Sequence, residues 1–113
     1  MKLRQIITQL PHLRRLARIR TVTGRRHLIK HFPPKAIRAI DSCCKNALRG
    51  NIPLKRTQKN KLRKYKKHIK ALIKPKTSMS RKKKILVQNG GFLSVLLPAL
   101  AGIIPSIVSA FKK

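Results

Sequence analysis

Apolar residues recur every third or fourth position at the start of the chain, at Leu3, Ile6, Ile7, Leu10, Leu13, Leu16 and Ile19. That spacing is the period of an amphipathic helix, with Arg14, Arg15 and Arg18 on the other faces. Pro11 divides it into two short pieces, because a proline inside a helix removes a hydrogen bond and crowds the preceding turn. Residues 21–33 lack the pattern and read as a linker, punctuated by Gly24 and the pair Pro33-Pro34. A second helix starts at Pro34, a favourable first-turn residue, and places Ile37, Ile40, Cys44, Ala47 and Leu48 on one stripe before Gly50 stops it. A third opens at Thr57 as N-cap, repeats the same offsets with Leu62, Tyr65, Ile69, Leu72 and Ile73, and closes at Pro75. The intervening GNIPLKRT is short enough to fold these two helices into an antiparallel hairpin in which each stripe covers the other.

The pattern changes at Phe92. From there to Phe111 the chain reads FLSVLLPALAGIIPSIVSAF, twenty residues without a charge, followed by Lys112-Lys113. A helix of that length spans about 30 Å, the thickness of a bilayer's hydrocarbon core. Pro98, Pro105 and Gly102 make it a poor spanning helix, since freed backbone groups need partners in lipid. Three readings compete: a kinked membrane-active peptide, a tail anchor, and a buried core helix. The first is favoured, because no comparable apolar surface elsewhere would cover all sides of the segment. Its membrane-facing side chains would be Phe92, Leu93, Leu96, Leu97, Leu100, Ile103, Ile104, Ile107 and Phe111.

Charge alters the picture most. Thirty Lys and Arg face one acidic side chain, Asp41, for a formal charge of +29 on 113 residues. Self-repulsion at that density opposes a compact state and calls for a polyanionic partner. Nucleic acid is the commonest, through phosphate neutralisation and counterion release; an anionic membrane surface is the second candidate. Candidate phosphate contacts are Arg14, Arg15 and Arg18, then Lys59, Lys61, Arg63, Lys64, Lys66, Lys67 and Lys70 on the third helix. The run Arg81, Lys82, Lys83 and Lys84 completes the set, and would also serve as a nuclear localisation signal. A charged helix face is ordinarily just a solvated face, but here the two signs are not mixed. With only Phe32, Tyr65, Phe92 and Phe111 as aromatics, base stacking is disfavoured against backbone contact.

The same composition argues against catalysis. A lone carboxylate supplies neither a paired acid and base nor an acid-supported metal site. His12, His27, His31 and His68 are scattered, and the adjacent Cys43 and Cys44 fit no zinc or dithiol spacing. The bland reading of the cysteines is a compact apolar core residue, with a vicinal disulfide as the remote alternative. No enzymatic activity and no cofactor are expected. The Arg-rich N-terminus shares the bias of a mitochondrial presequence, but that bias runs along the whole chain, and no apolar stretch of signal-peptide length is present there.

Three runs in order, SCCKNALRGNIPL, KNKLRKYKKHIKALIK and RKKKILVQNGGFLSVLLPAL, resemble the small basic protein of Polinton (Maverick) elements and adintoviruses, itself likened to the core protein X (mu) precursor of adenoviruses. The likeness covers residues 42–100, a little over half the chain, and leaves residues 1–41 without a counterpart. It implies a virion core component that condenses double-stranded DNA, located in the virion and the host nucleus, with capsid proteins and a maturation cysteine protease as partners. That protease type favours an apolar or amide residue, any residue, then two glycines before the cut. Gln88, Asn89, Gly90 and Gly91 match residue by residue, placing the bond before Phe92. The adenoviral protein is richer in Arg and has little helical pattern, so the likeness is one of role more than architecture.

The expected fold is mainly α without β-sheet: a flexible basic N-terminal arm with short helices (1–33), an amphipathic hairpin (34–75), a basic linker ending in the glycine pair (76–91), and a separate apolar tail (92–113). The expected function is non-specific electrostatic binding and condensation of the double-stranded DNA genome, with RNA the alternative polyanion and a tail that acts on membranes, released by proteolysis. Two rivals remain: a cellular ribosomal or RNA-binding protein, which the uncharged tail does not suit, and a tail-anchored protein or a cationic membrane-lytic peptide precursor, the last of which would carry a signal peptide and an acidic spacer.

Overall fold

A computed structural model describes residues 3–99, all of whose regular elements are helical. In chain order they are α1 (Leu3–Thr8), α2 (Leu10–Arg18), α3 (Val22–Lys30), α4 (Pro34–Leu48), α5 (Arg56–Arg63), α6 (Lys66–Ile73), α7 (Met79–Asn89), a 3-10 turn (Gly90–Phe92) and α8 (Leu93–Ala99). The mainly α class is as expected, and among the described residues there is no strand.

The division into arm, hairpin, linker and tail is not what the packing shows. One core cluster draws on all parts of the described chain: Ile6, Leu13 and Leu16 from the N-terminal helices, Ile37, Ile40 and Cys44 from α4, Leu72 from α6, Leu86 from α7, and Phe92, Leu93, Leu96 and Leu97. α4 packs against α1, α2, α6 and α7, while α8 packs against α2 and α5. The expected two-stripe hairpin is therefore only part of the core around α4. Residues 1–33 are not a free arm over their described length, because α1 packs on α4 and α2 supplies the apolar wall that meets α8. The described start of the apolar segment does find apolar cover, which the sequence did not lead one to expect: α2 and α5 both pack on α8.

Local signals explain where most helices begin and end. Pro11 stands in the first turn of α2, where its missing N–H costs nothing, so the break falls at Gln9. Residues 21–33, expected as a linker, contain α3. Thr21 caps it by accepting from the Gly24 N–H at 3.0 Å, so Gly24 opens a helix where punctuation was expected. Residues 76–91, also expected as linker, hold α7, capped by Ser78, whose hydroxyl accepts from the Arg81 N–H at 3.2 Å.

α4 ends as the sequence implies. Gly50 has φ +77°, its N–H donates to the Ala47 carbonyl at 3.3 Å, and the Asn51 N–H donates to the Asn46 carbonyl at 2.9 Å. These are the paired bonds of a Schellman ending, which needs a residue tolerant of positive φ. The third helix instead begins one residue before Thr57, with Lys55 N–H bonded to the Gln58 side chain at 2.8 Å. It also breaks at Lys64-Tyr65, where the Tyr65 N–H reaches back only to Leu62. The break lets α5 lie on α8 while α6 turns onto α4 and α7.

Cys43 and Cys44 are both free thiols in the core, with no disulfide between them. Burial pushes the Cys43 thiol up to about 12 and Cys44 well above its ordinary range. Both stay protonated near neutral pH, and since the thiolate is the nucleophile, alkylation must wait for the chain to open. Leu97→Ala is expected to cost about 2–5 kcal/mol of stability and to accelerate alkylation of Cys43 and Cys44 in proportion to the opened fraction. A thermal melt with timed mass spectrometry checks this; an unchanged melt would mean that α8 is separable from the core.

Candidate nucleic-acid interface

Each helix buries one stripe, so the position of its cations follows from which side faces inward. On α5 and α6, Leu62, Ile69 and Leu72 are buried, and Lys59, Lys61, Arg63, Lys64, Lys66, Lys67 and Lys70 are all exposed. This is the densest of the expected surfaces, and the structure presents all seven residues to solvent. Lys55, Arg56, Lys74 and Lys76 extend it at both ends. α7 packs beside α6 and exposes Arg81 and Lys84, with Lys83 half-buried. On α2, Arg15 and Arg18 are exposed and Arg14 is half-buried.

Lys82 differs from its expected role. Its ammonium lies 3.2 Å from Asp41 Oδ2, tying α7 to α4, and Lys45 approaches the same oxygen at 3.4 Å. Side-chain exposures of 14% for Lys82 and 13% for Asp41 make this a largely buried pair, and Lys82 is committed to the fold. Sequence alone could not single it out from the basic run, because its direction depends on α7 docking on α4.

Cations that the sequence reading passed over are also placed. Arg20, Arg26, Lys30, Lys35, Arg38 and Arg49 are exposed. Arg25 is the exception, only 7% exposed, with Nε donating to the Val87 carbonyl at 2.9 Å and Nη1 to the Ile19 carbonyl at 3.4 Å. It fastens α3 to α7.

The expected cleavage seam lies beside that fastener. Gly90 is buried at the end of α7, and a Cβ there would come within 2.9 Å of Arg25 Cδ. A Cβ on Gly91 would sit 3.1 Å from the Tyr65 hydroxyl. Both glycines thus have a packing reason to be glycine, independent of any protease. Phe92 is fully buried, in tilted contact with the Tyr65 ring. A protease that needs an extended strand on both sides of the bond meets a helix, a 3-10 turn and a second helix instead.

Of the expected membrane-facing residues, Phe92, Leu93, Leu96 and Leu97 are core residues, unavailable to lipid while the fold is closed. Leu100, Ile103, Ile104, Ile107 and Phe111 lie outside the described residues. No helix among the described residues is long and apolar enough to cross a membrane.

Comparison with protein-family models, with curated proteins and with solved structures yields no match. The likeness to the adenoviral-type core precursors rests on the quoted residues alone.

Two outcomes follow from this geometry. Asp41→Asn leaves Lys82 without its counter-charge in a largely buried position and is expected to cost about 3 kcal/mol, read as a lowered melting temperature; Asp41→Asn combined with Lys82→Met should recover part of it. A Gly-Gly-directed cysteine protease should cut the native chain slowly after Gly91, and faster in the Leu97→Ala background, tracking the open population. Equal rates in both would mean that the seam is accessible in the folded chain.

Proposed function

We propose that this protein is a virion core component that binds and condenses double-stranded DNA through its phosphates, without reading sequence. The observation that carries the reading is a shell of exposed cations on helices packed around one core, with the only carboxylate side chain drawn inward.

The magnitudes favour condensation over simple coating. Lys2, Lys112 and Lys113 lie outside the described residues, leaving 27 cations and Asp41, a net charge of +26 in a body of 31 × 28 × 25 Å. Duplex DNA carries one charge per roughly 1.7 Å of axis, so the longest dimension faces about 18 phosphates. The protein carries more charge than a single duplex can neutralise over that length. Its cations also occupy α2, α3, α4, α5, α6 and α7, whose outward faces point different ways around the core. Surplus charge on other sides is free to meet a second duplex. Bridging of this kind draws duplexes together.

Sequence readout has little support. Base-edge recognition needs bidentate donors held in a groove, whereas the exposed α5–α6 surface is mostly lysine, a flexible point charge. Capsid proteins, a maturation protease and a nuclear stage belong to the same proposal on the strength of the quoted resemblance. Membrane action of Phe92–Leu97 would require α8 to leave the core, so it is reserved for a processed or unfolded chain.

If roughly ten phosphates are contacted, log affinity for a random-sequence duplex should fall with log salt at a slope near −9. Light scattering should show condensation near charge equivalence that dissolves as salt rises. Reversing Lys59, Lys66 and Lys67 to Glu should reduce the slope while leaving the melting temperature nearly unchanged. A flat salt response, or strong preference for one duplex sequence, would sink the proposal.

A further inference from the structure

One cleft gathers charge differently from the rest of the surface. It is lined by Arg18 at the end of α2, Arg20 in the turn that follows and the buried Arg25 of α3, together with Tyr65, Gln88, Asn89 and Gly91. The cleft is open to solvent and has a volume of about 660 Å³. Three arginines from one short stretch thus line the same cleft as three neutral polar side chains.

Three observations make this a built site. First, the three arginines share no carboxylate. Asp41 is the only one on any side chain, and it sits on α4 between Lys45 and Lys82. Second, Arg25 is held in place by bonds to the Val87 and Ile19 carbonyls, so its guanidinium is fixed before any ligand arrives. Those carbonyls satisfy donors but do not neutralise the charge, and a buried charge without a counter-ion is costly. Third, Gly91 lines the same cleft beside Tyr65, and a Cβ there would press on the Tyr65 hydroxyl.

We propose that this cleft is a specific binding site for a phosphate group, with Arg18, Arg20 and Arg25 as its charge-assisted donors. Guanidinium groups match phosphate oxygens in bidentate fashion, and a tetrahedral phosphate can accept from several donors that do not share a plane. The site deepens the phosphate-binding reading of the surface but does not depend on it, because the phosphate can come from a duplex backbone or from a free polyphosphate. It differs from the lysine-rich α5–α6 face in having one guanidinium, that of Arg25, already held in place, and a single cleft around it, hence a defined stoichiometry.

The test titrates the full chain with inorganic tripolyphosphate at about 0.15 M salt, where exposed charges are screened within roughly 8 Å. One-site binding is expected by calorimetry, with a rise in melting temperature. Arg18→Ala with Arg20→Ala, both on exposed residues, should weaken it about tenfold or more. Lys35→Ala with Arg38→Ala removes the same charge from exposed positions of α4 and should have far less effect. Equal losses in the two double variants, or weak binding at many equivalent sites, overturn the proposal. A short duplex then separates the sources. A larger loss of duplex affinity in the cleft variant assigns the phosphate to nucleic-acid backbone. Equal duplex losses, with the tripolyphosphate difference retained, assign it to a free polyphosphate. If tripolyphosphate binds but duplex does not, the cleft stands and the condensation reading falls.

Discussion

The folded state depends on how the last described apolar segment is shared. A chain with thirty cations and one carboxylate gains almost nothing from internal ion pairs, and its charges push outward in every direction. What opposes that push is apolar burial, and each short helix supplies only a narrow stripe. Phe92, Leu93, Leu96 and Leu97 bring a dense block of large side chains to the point where those stripes converge. At roughly 1.5–3 kcal/mol per large side chain fully buried, this block is comparable to the whole net stability of a small domain. The basic helices and the described part of the apolar segment therefore share one core.

Two polar fasteners secure the helices around that core, and they differ in kind. Asp41 joins α4 to α7 by holding Lys82, spending the only negative side chain on the interior. Arg25 joins α3 to α7 through backbone carbonyls, which orient it without cancelling its charge. The first is electrically closed and the second is open. An anion over Arg25 would complete the second fastener, so binding of phosphate and stability of the α3–α7 junction are coupled: a ligand that binds only the folded state stabilises it by mass action.

The same coupling bears on the glycine pair. Read along the chain, Gly90 and Gly91 mark a seam between a basic part and an apolar part. In three dimensions they are the close-approach points for Arg25 and Tyr65, deep in the joint that holds both parts together. Cutting there would remove the apolar block from the core and loosen the basic helices at once. Processing at this bond, where it occurs, would exchange a folded condensing protein for a more extended polycation held to its polyanion by charge.

By itself, the sequence determined the helical class, the stripes at Ile37, Ile40 and Cys44 and at Leu62, Ile69 and Leu72, the start of α4 at Pro34 and its stop at Gly50, because these rest on period and on backbone preference within a few residues. It also determined the excess of cations, since charge is a sum over composition, and that excess is what supports the proposal of an anionic partner. Only the tertiary structure decided that Thr21 and Gly24 open a helix, that the third helix bends at Tyr65, that Lys82 and Arg25 turn inward, and that Phe92–Leu97 meet protein. An apolar run reads the same whether lipid or protein will cover it. Its surroundings are set by stripes far away in the chain, Ile6, Leu13 and Leu16 among them, each too narrow alone to suggest a core. The orientation of one cation among thirty likewise depends on which helix docks beside it, and no local pattern carries that information.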